Sequence, residues 1–204
     1  MSLHKPVAIV AYAPIRDADI SAPLHPKSRY DEVVRCKSTD AQKEKYLVWK
    51  LLENTVEKYL DLKFANLKFT KTDNGQWVCP NFHFSLSHTD GFVCVAVSDE
   101  PIGVDAELVR AVRPELEGRI LTEKECDAMK RLPPEKQGEY LLEYWVKKES
   151  IFKKDGGHAL LPNRIEADGY NTSVRRVLCG EYEYLIAVCH DRADEIEFNF
   201  VEEI

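Results

Sequence analysis

The chain has 204 residues, of which 44% are hydrophobic and 31% are charged, a composition that suits one large compact domain or two small lobes sharing an interface. Its formal net charge of -7 argues against a protein that binds duplex nucleic acid, because phosphate contacts need a basic surface. The six cysteines are scattered without a CxxC pair, so we expect free buried thiols and no disulfide framework.

The first apolar segment, in MSLHKPVAIVAYAPI, is short and is broken by Pro14. It resembles neither a secretory signal nor a membrane span. We therefore expect a first β-strand in a cytoplasmic protein that does not bind membranes.

Two long helices are predicted. Residues 40–60 carry apolar side chains at helical spacing, with Asp40 near the start as a cap. A second helix is expected over about residues 134–154. Between them, Asn74-Gly75 predicts a tight turn, and residues 92–97 (FVCVAV) predict a strand buried on both faces.

The chain also resembles itself. Residues 92–109 and 184–201 align without a gap, and each segment contains a hydrophobic strand, a polar turn with an aspartate and a second strand. A long amphipathic helix precedes each segment, which predicts two related α+β lobes, 1–98 and 99–204, joined near residues 98–115. The alternative is a chance match, since hydrophobic hairpins resemble one another.

Two carboxylates lie two positions apart, at Asp105 and Glu107, in the segment GVDAE. Strand side chains alternate between faces, so both project from one side with Cα atoms about 7 Å apart, within reach of one cation. Gly103 is expected to leave space beside them for a ligand. The alternative is the solvated polar face of an edge strand. In the repeat alignment the second copy has Glu197 and Asn199 instead, so only one acidic site would remain between the lobes.

In the second helix, steps of four residues place Trp145, Glu149 and Lys153 on one stripe. Trp145 directs this stripe towards the interior, where an ionised Glu149 needs a lysine or a metal as compensation. The same helix end carries lysines suited to phosphate groups: Lys147, Lys148, Lys153 and Lys154. The alternative is a solvated basic last turn that complements the helix dipole.

A third polar segment is FSLSH, in which Ser85 and Ser87 share one strand face and His88 follows. A serine hydrolase could use such a pair, but GxSxG is absent. A zinc site from His83, His88 and Asp90 is a second possibility, although no further ligand cluster supports it. A structural histidine is the third interpretation of His88.

Together these segments resemble the signature of 4′-phosphopantetheinyl transferases, specifically the larger, surfactin-synthetase-activating type. The family's SH, GxDxE and WxxKE[AS] segments match FSLSH (84–88), GVDAE (103–107) and WVKKES (145–150). The trailing K…G…L elements fit Lys153, Gly156 and Leu160, and ILTEKE (120–125) resembles the segment ahead of the long helix. The resemblance covers roughly residues 82–162.

The resemblance implies an α+β fold of two similar lobes, each a small, largely antiparallel sheet packed on a long helix, related by a pseudo-two-fold axis, with the active site between them. It implies transfer of 4′-phosphopantetheine from coenzyme A to a serine of an apo acyl or peptidyl carrier protein, with release of adenosine 3′,5′-bisphosphate. A monomer is implied, because two internal lobes already form the cleft.

The resemblance also implies residue roles. Asp105, Glu107 and Glu149 would bind Mg²⁺, and Asp105, Glu149 and Lys153 would be catalytic, with Glu149, Glu125 or a water on the metal as the base. Coenzyme A contacts would come from Ser87, His88, Lys148 and Lys153, and from Lys43 and Lys45 within an upstream basic region that also holds Arg29, Arg35 and Lys37. The chain departs from the family at Ser85, where many members have Asn, and at residues 74–77, where they have a GKP-like segment.

Two rival functions stay open at this point. One is a coenzyme A or nucleotide-binding module of the same fold without catalysis. The other is a different Mg²⁺-dependent phosphoryl-transfer enzyme. The carrier protein and its pathway do not follow from the sequence.

Overall fold

Two β-sheets stacked face to face, each covered on its outer side by a long helix, make up the computed structural model, which describes residues 8–16, 19–110, 114–192 and 196–201. The strands are β1 (Ala8–Pro14), β2 (Thr70–Lys71), β3 (Trp77–Val78), β4 (His83–Thr89), β5 (Phe92–Ser98), β6 (Gly103–Leu108), β7 (Thr172–Cys179), β8 (Tyr182–Cys189) and β9 (Ile196–Phe200). The helices are α1 (Lys27–Val34), α2 (Thr39–Leu60), α3 (Glu117–Ile120), α4 (Glu123–Lys130) and α5 (Pro134–Asp155). The predicted α+β class is confirmed.

The first sheet has the strand order β4-β5-β1-β9, and the second has the order β6-β8-β7. All neighbours are antiparallel except β1 and β9, which run parallel. A separate two-stranded hairpin, β2-β3, turns at Gly75, whose φ of +83° suits glycine. The predicted turn at Asn74-Gly75 and the predicted first strand are therefore present.

Both long helices occur where the apolar spacing predicts them. The side chain of Ser38 caps α2 by accepting a hydrogen bond from the Ala41 amide. The predicted cap, Asp40, lies instead in the first turn, where its negative charge interacts favourably with the positive end of the helix dipole. Helix α5 begins at Pro134 and ends at Asp155, and it is capped by Gly156, whose φ is +68°.

The core has two main layers because side chains of β1 alternate between the two faces of its sheet. Ile9 and Ala11 face α2, whereas Ala8 and Val10 face the second sheet. Strand β5 is buried along its whole length, as predicted, since it lies in the middle of this sandwich. On the far side, Leu142 and Val146 of α5 pack against β8.

The two segments that align with each other have related positions in the fold. In each, the first strand lies in one sheet and the second strand crosses to the other: β5 to β6, and β8 to β9. Strand β9 therefore joins the first sheet, although it lies within the predicted second lobe, 99–204. The two lobes and their pseudo-two-fold axis stay a prediction.

Strand β6 lies directly against the backbone of α5 at Gly103. A Cβ atom on Gly103 would come within 1.9 Å of the Ser150 carbonyl oxygen and 2.6 Å of the Lys154 amide nitrogen. The expectation that Gly103 leaves room for a ligand is therefore wrong. The space is filled by the helix, and this contact brings Glu149 and Lys153 towards the carboxylates of β6.

All six cysteines are free, and Cys79, Cys94, Cys179 and Cys189 are buried while Cys36 and Cys126 are partly exposed. Among the described helices, none is both long and apolar enough to cross a bilayer.

Gly103→Ala is expected to destabilise the protein by about 3 kcal/mol or more, because overpacking against backbone atoms cannot be relieved by a side-chain rotation. Gly118→Ala is the matched control, since a Cβ there meets nothing within 4 Å, and its stability should stay within about 1 kcal/mol of the wild type. Urea unfolding measures both. Equal stability of the two variants would contradict the close contact.

Candidate active site

Serine hydroxyls join the two sheets where β4 and β6 run side by side. Ser85 Oγ accepts a hydrogen bond from the Val104 amide at 3.0 Å, and Ser87 Oγ accepts one from the Ala106 amide at 3.1 Å. The two serines therefore satisfy backbone donors of the edge strand β6 that would otherwise be buried without partners. Their hydroxyls have a structural role that a serine hydrolase nucleophile would not have.

Asp105 is the centre of the site and is only 5% exposed. Its Oδ1 accepts hydrogen bonds from Ser87 Oγ at 2.9 Å and from the Lys153 ammonium at 2.7 Å. Its Oδ2 is buried and has no hydrogen-bond partner in the structure. A buried carboxylate oxygen without a donor is unfavourable, so this oxygen is available for a cation or a further donor.

Glu107 projects from the same side of β6, as the strand alternation predicts. Trp145 Nε1 donates to its Oε1 at 3.1 Å, and Thr89 Oγ1 donates to its Oε2 at 3.2 Å. Burial raises the pKa of Glu107, and the charge of Asp105 raises it further, while the two hydrogen bonds oppose this effect.

Glu149 reaches the same region from α5. Loss of hydration raises the pKa of this carboxyl to about 7, with further contributions from the charges of Asp105 and Glu107, while Lys153 opposes the shift. The charges of Asp105, Glu107 and Glu149, from one strand and one helix, therefore affect one another. The Lys153 ammonium is the cation in contact with Asp105.

Within the part of the chain that the structure describes, no three His, Cys, Asp or Glu side chains are arranged as a ready metal-binding group. The donor set nevertheless fits a divalent cation that prefers oxygen ligands. The Asp105 Oδ2 atom has no partner, and the pKa values of Glu107 and Glu149 are raised in part by repulsion from Asp105. A bound cation would relieve both conditions.

His88 contacts Glu44 of α2, with 3.1 Å between Nδ1 and Oε2, which is an ion pair when the imidazole is protonated, and 37% of its side chain is exposed. Partial loss of hydration lowers the pKa of His88, while Glu44 opposes this. Lys43 and Lys45 flank Glu44 on the same helix and are partly exposed. The zinc alternative has no support, because the described residues contain no metal-binding group at His88.

Lys148 does not lie in the site. Its side chain is fully buried and forms an ion pair with Glu125, which is 3% exposed, and its ammonium also donates to the Ile120 carbonyl at 2.9 Å. The expected contact between Lys148 and coenzyme A is wrong for this arrangement, because the ammonium is surrounded by protein acceptors.

Both carboxylate oxygens of Glu125 have protein partners, one of which is Lys148. Its carboxylate accepts from the Thr122 amide at 2.8 Å, within a capping box at the start of α4, and from the Ala167 amide at 3.4 Å. This arrangement does not support Glu125 as the base. The pair with Lys148 instead fastens α4 and the preceding turn to α5.

The upstream basic residues divide into two groups. Arg29 is buried, pairs with Glu32 and donates to the Lys45 carbonyl at 2.8 Å, so it does not present a free phosphate site. Arg35 and Lys37 are exposed.

A cleft of about 420 Å³ opens beside Lys153. It is lined by Asn74, Gly75, Gln76, Trp77, Phe84, Ser85, Leu86, Phe152, Lys153, Gly156, Gly157 and His158. The sequence motifs do not identify Phe152 or His158 as lining residues. The segment 74–77 lines one wall of the cleft. It is also where the chain departs from the family pattern, and that departure is the sequence feature that draws attention to it.

The same segment holds the end of α5. The Asn74 side chain donates to the Gly156 carbonyl at 2.5 Å, and the Gln76 side chain donates to the Lys153 carbonyl at 3.1 Å. The β2-β3 hairpin thus fixes the helix end that carries Lys153.

Comparison with protein families gives a match between residues 101–190 and the 4′-phosphopantetheinyl transferase superfamily. The matched span contains Asp105, Glu107, Glu149 and Lys153, while Ser87 lies outside it. The resemblance inferred from the motifs is thus confirmed.

Curated relatives include the 4′-phosphopantetheinyl transferase psf-1 of Bacillus pumilus, 28% identical over 130 residues, which are 60% of this chain and 56% of the relative. A 4′-phosphopantetheinyl transferase of Bacillus subtilis is 29% identical over 142 residues, 61% of this chain and 63% of the relative. The 4′-phosphopantetheinyl transferase Sfp of Bacillus subtilis strain 168 is 25% identical over 115 residues, 55% and 51% respectively. The chain therefore spans less than two thirds of the length of these relatives.

Glu149→Gln is expected to stabilise the protein at pH 8 but not at pH 4. The pKa of Glu149 is about 7 when folded and near 4.5 when unfolded, so the unfolded state releases this proton first as the pH rises, and folding stability falls between these values. After discounting for solvent screening, we expect a gain of about 1 kcal/mol at pH 8. Thermal unfolding at both pH values measures it, and an identical gain at pH 4 and pH 8 would contradict the shift.

Lys148→Met is expected to destabilise the protein by about 3–5 kcal/mol, since Glu125 would keep a buried charge without its partner. Adding Glu125→Gln should recover part of the loss. Urea unfolding of the single and double variants gives the coupling. A loss below about 1 kcal/mol for Lys148→Met would show that the lysine is not buried as described.

Proposed function

We propose that this chain belongs to the 4′-phosphopantetheinyl transferase superfamily and transfers 4′-phosphopantetheine from coenzyme A to a serine of an apo acyl or peptidyl carrier protein. The observation that carries the proposal is the ion pair between Lys153 and the buried Asp105 at the contact between β6 and α5, beside Glu149, whose pKa is raised by burial and by the charges of Asp105 and Glu107. The family match over residues 101–190 supports it.

The three carboxylates would hold a Mg²⁺ ion. Mg²⁺ in phosphoryl-transfer sites is bound by a few carboxylates and by substrate phosphates, and the unpartnered Oδ2 of Asp105 suits that role. When bound, the ion would supply charge neutralisation for the pyrophosphate of coenzyme A.

Lys153 and His88 would bind the phosphates of coenzyme A. Lys153 is partly exposed and borders both Asp105 and the 420 Å³ cleft, so its ammonium can turn from the carboxylate towards a phosphate oxygen. His88 is accessible beside Lys45. Ser87 would contribute by holding Asp105 and Lys153 through its hydroxyl, at 2.9 Å and 3.3 Å.

Glu149 would act as the base. Burial raises the basicity of its carboxylate, which favours acceptance of the proton of the attacking serine hydroxyl, while a bound cation would lower that basicity. The serine oxygen would form a bond to the β-phosphorus while the bond between that phosphorus and the bridging oxygen breaks. Adenosine 3′,5′-bisphosphate would leave with the bridging oxygen, and Lys153 would stabilise the charge that develops.

We also propose the two-lobed arrangement, 1–98 and 99–204, with the site in the cleft between the lobes. The similar topology of the β5-β6 and β8-β9 segments, each of which crosses from one sheet to the other, supports it. The monomeric state, the cytoplasmic location and the absence of nucleic-acid or membrane partners stay predictions.

The test uses purified protein, coenzyme A, Mg²⁺ and an apo carrier protein, with the carrier mass as the measurement. We expect a carrier heavier by one phosphopantetheine group. Asp105→Ala should reduce the rate at least about a hundredfold, because it removes a carboxylate that would hold the cation and that positions Lys153. Asp99→Ala, which alters an exposed carboxylate at 75% exposure, should transfer at the wild-type rate.

Three results would contradict the proposal in different ways. No mass change with several unrelated carriers would favour the non-catalytic binding module, provided coenzyme A still binds. Hydrolysis of phosphate esters without any carrier would favour another Mg²⁺-dependent enzyme. Transfer by Asp105→Ala at the wild-type rate would show that the site lies elsewhere.

A further inference from the structure

Strand β4 presents a row of three hydroxyl groups to β6, at Ser85, Ser87 and Thr89. The spacing of two residues places all three on the same face of the strand. The first two accept hydrogen bonds from backbone amides of β6, so they fix the position of that strand. Thr89 differs, because its hydroxyl donates to the Glu107 side chain.

The Glu107 carboxylate has one donor on each oxygen, and the two donors come from different parts of the fold. Thr89 lies at the end of β4 and binds Oε2 at 3.2 Å, while Trp145 lies in the middle of α5 and binds Oε1 at 3.1 Å. A glutamate side chain has three rotatable bonds, and ordering it costs conformational entropy. Two donors on opposite sides define one orientation of the carboxylate plane.

The two bonds also leave Glu107 able to bind a cation. An ionised carboxylate has about four lone-pair positions, and one hydrogen bond on each oxygen occupies two of them. Glu107 and Asp105 carry like charges on neighbouring positions of one strand face, and repulsion would favour rotamers that point Glu107 away. The donors hold it near Asp105 against that repulsion.

We propose that Thr89 is a positioning residue, whose hydroxyl, opposite the Trp145 indole, holds the Glu107 carboxylate in the orientation that binds the divalent cation. This inference rests on the proposed function for the use of a metal at the site. Thr89 directly follows FSLSH and lies outside the three motifs, so the sequence pattern does not mark it. Groups that orient metal ligands in this way commonly change metal affinity 10–100-fold when removed, by order of magnitude.

The test compares Thr89→Val with Thr89→Ser and with Thr55→Val. Thr89→Val keeps the side-chain shape and removes the hydroxyl, and Thr89→Ser restores it. Thr55→Val is the matched control, because the buried Thr55 hydroxyl donates to a backbone carbonyl, that of Leu51 within α2, at 2.7 Å. Binding of Mn²⁺ in the presence of coenzyme A and without a carrier is measured from the electron paramagnetic resonance signal of the free ion.

We expect Thr89→Val to weaken Mn²⁺ binding about tenfold or more. Thr89→Ser should bind within about threefold of the wild type, and Thr55→Val should bind as the wild type does. In transfer assays, Thr89→Val should need correspondingly more Mg²⁺ for half-maximal rate. If Thr89→Val does not fold, Thr89→Ala removes the same hydroxyl without a branched side chain and should give the same loss.

Wild-type Mn²⁺ affinity in Thr89→Val and Thr89→Ala would overturn the inference and leave the proposed function intact. Failure of Thr89→Ser to restore binding would also overturn it, because the effect would then not come from the hydroxyl. A wild-type protein that transfers nothing but shows the predicted Mn²⁺ series would contradict the proposed function alone. A wild-type protein that binds no Mn²⁺ would contradict both.

Discussion

The close contact between strand β6 and helix α5 is the constraint on which the rest of the site depends. It exists because Gly103 has no side chain, so that the Ser150 carbonyl and the Lys154 amide lie where a Cβ would be. With the backbones at this distance, the Lys153 ammonium of the helix contacts Asp105 of the strand, and Glu149 lies near enough for the charges of both to affect its pKa. Along the edge of β6 that does not pair with β8, hydroxyl groups of β4 accept hydrogen bonds from the strand and hold it in place. Backbone packing therefore brings the carboxylates into one region despite their mutual repulsion.

This arrangement has an electrostatic cost that points to function. Burial and repulsion raise the pKa values of Glu107 and Glu149, and one oxygen of Asp105 has no partner. A structure selected only for stability would not need three carboxyl groups in one poorly hydrated place. Lys153 compensates Asp105 directly, but it is also the residue best placed to bind a phosphate in the adjoining cleft. Under the proposed function, the same ammonium would bind Asp105 in the absence of substrate and a phosphate oxygen in its presence.

Much of this site follows from periodicity. Alternation along β6 predicts that Asp105 and Glu107 share a face, and steps of four along α5 predict the stripe of Trp145, Glu149 and Lys153. Both are local properties of one element. The contact between the two elements is not local, and so the role of Gly103 as a close-packing residue could not be predicted from the pattern around it.

The predictions that the structure contradicts fail for similar physical reasons. The family resemblance places Lys148 on the substrate, but Lys148 lies seven residues after Leu141 and three before Ile151, both buried, and so falls on an interior position of the helix. The spacing Thr122-x-x-Glu125 is a capping-box pattern, which indicates a structural use of that carboxylate. Arg29 is buried through contacts made across two helices, and no local pattern predicts those. The entry of β9 into the first sheet likewise depends on the pairing of chain segments far apart in sequence.

We propose that Asp105, Glu107 and Glu149 form one cation site, at which the metal displaces the Lys153 ammonium from Asp105. A crystal structure of the protein with Mn²⁺ and coenzyme A, with data collected at the manganese absorption edge, tests this most directly. We predict an anomalous peak bounded by the three carboxylates, with the Lys153 ammonium moved from Asp105 to a phosphate oxygen. Bound coenzyme A with no anomalous peak at these residues, and with Lys153 still on Asp105, would contradict it.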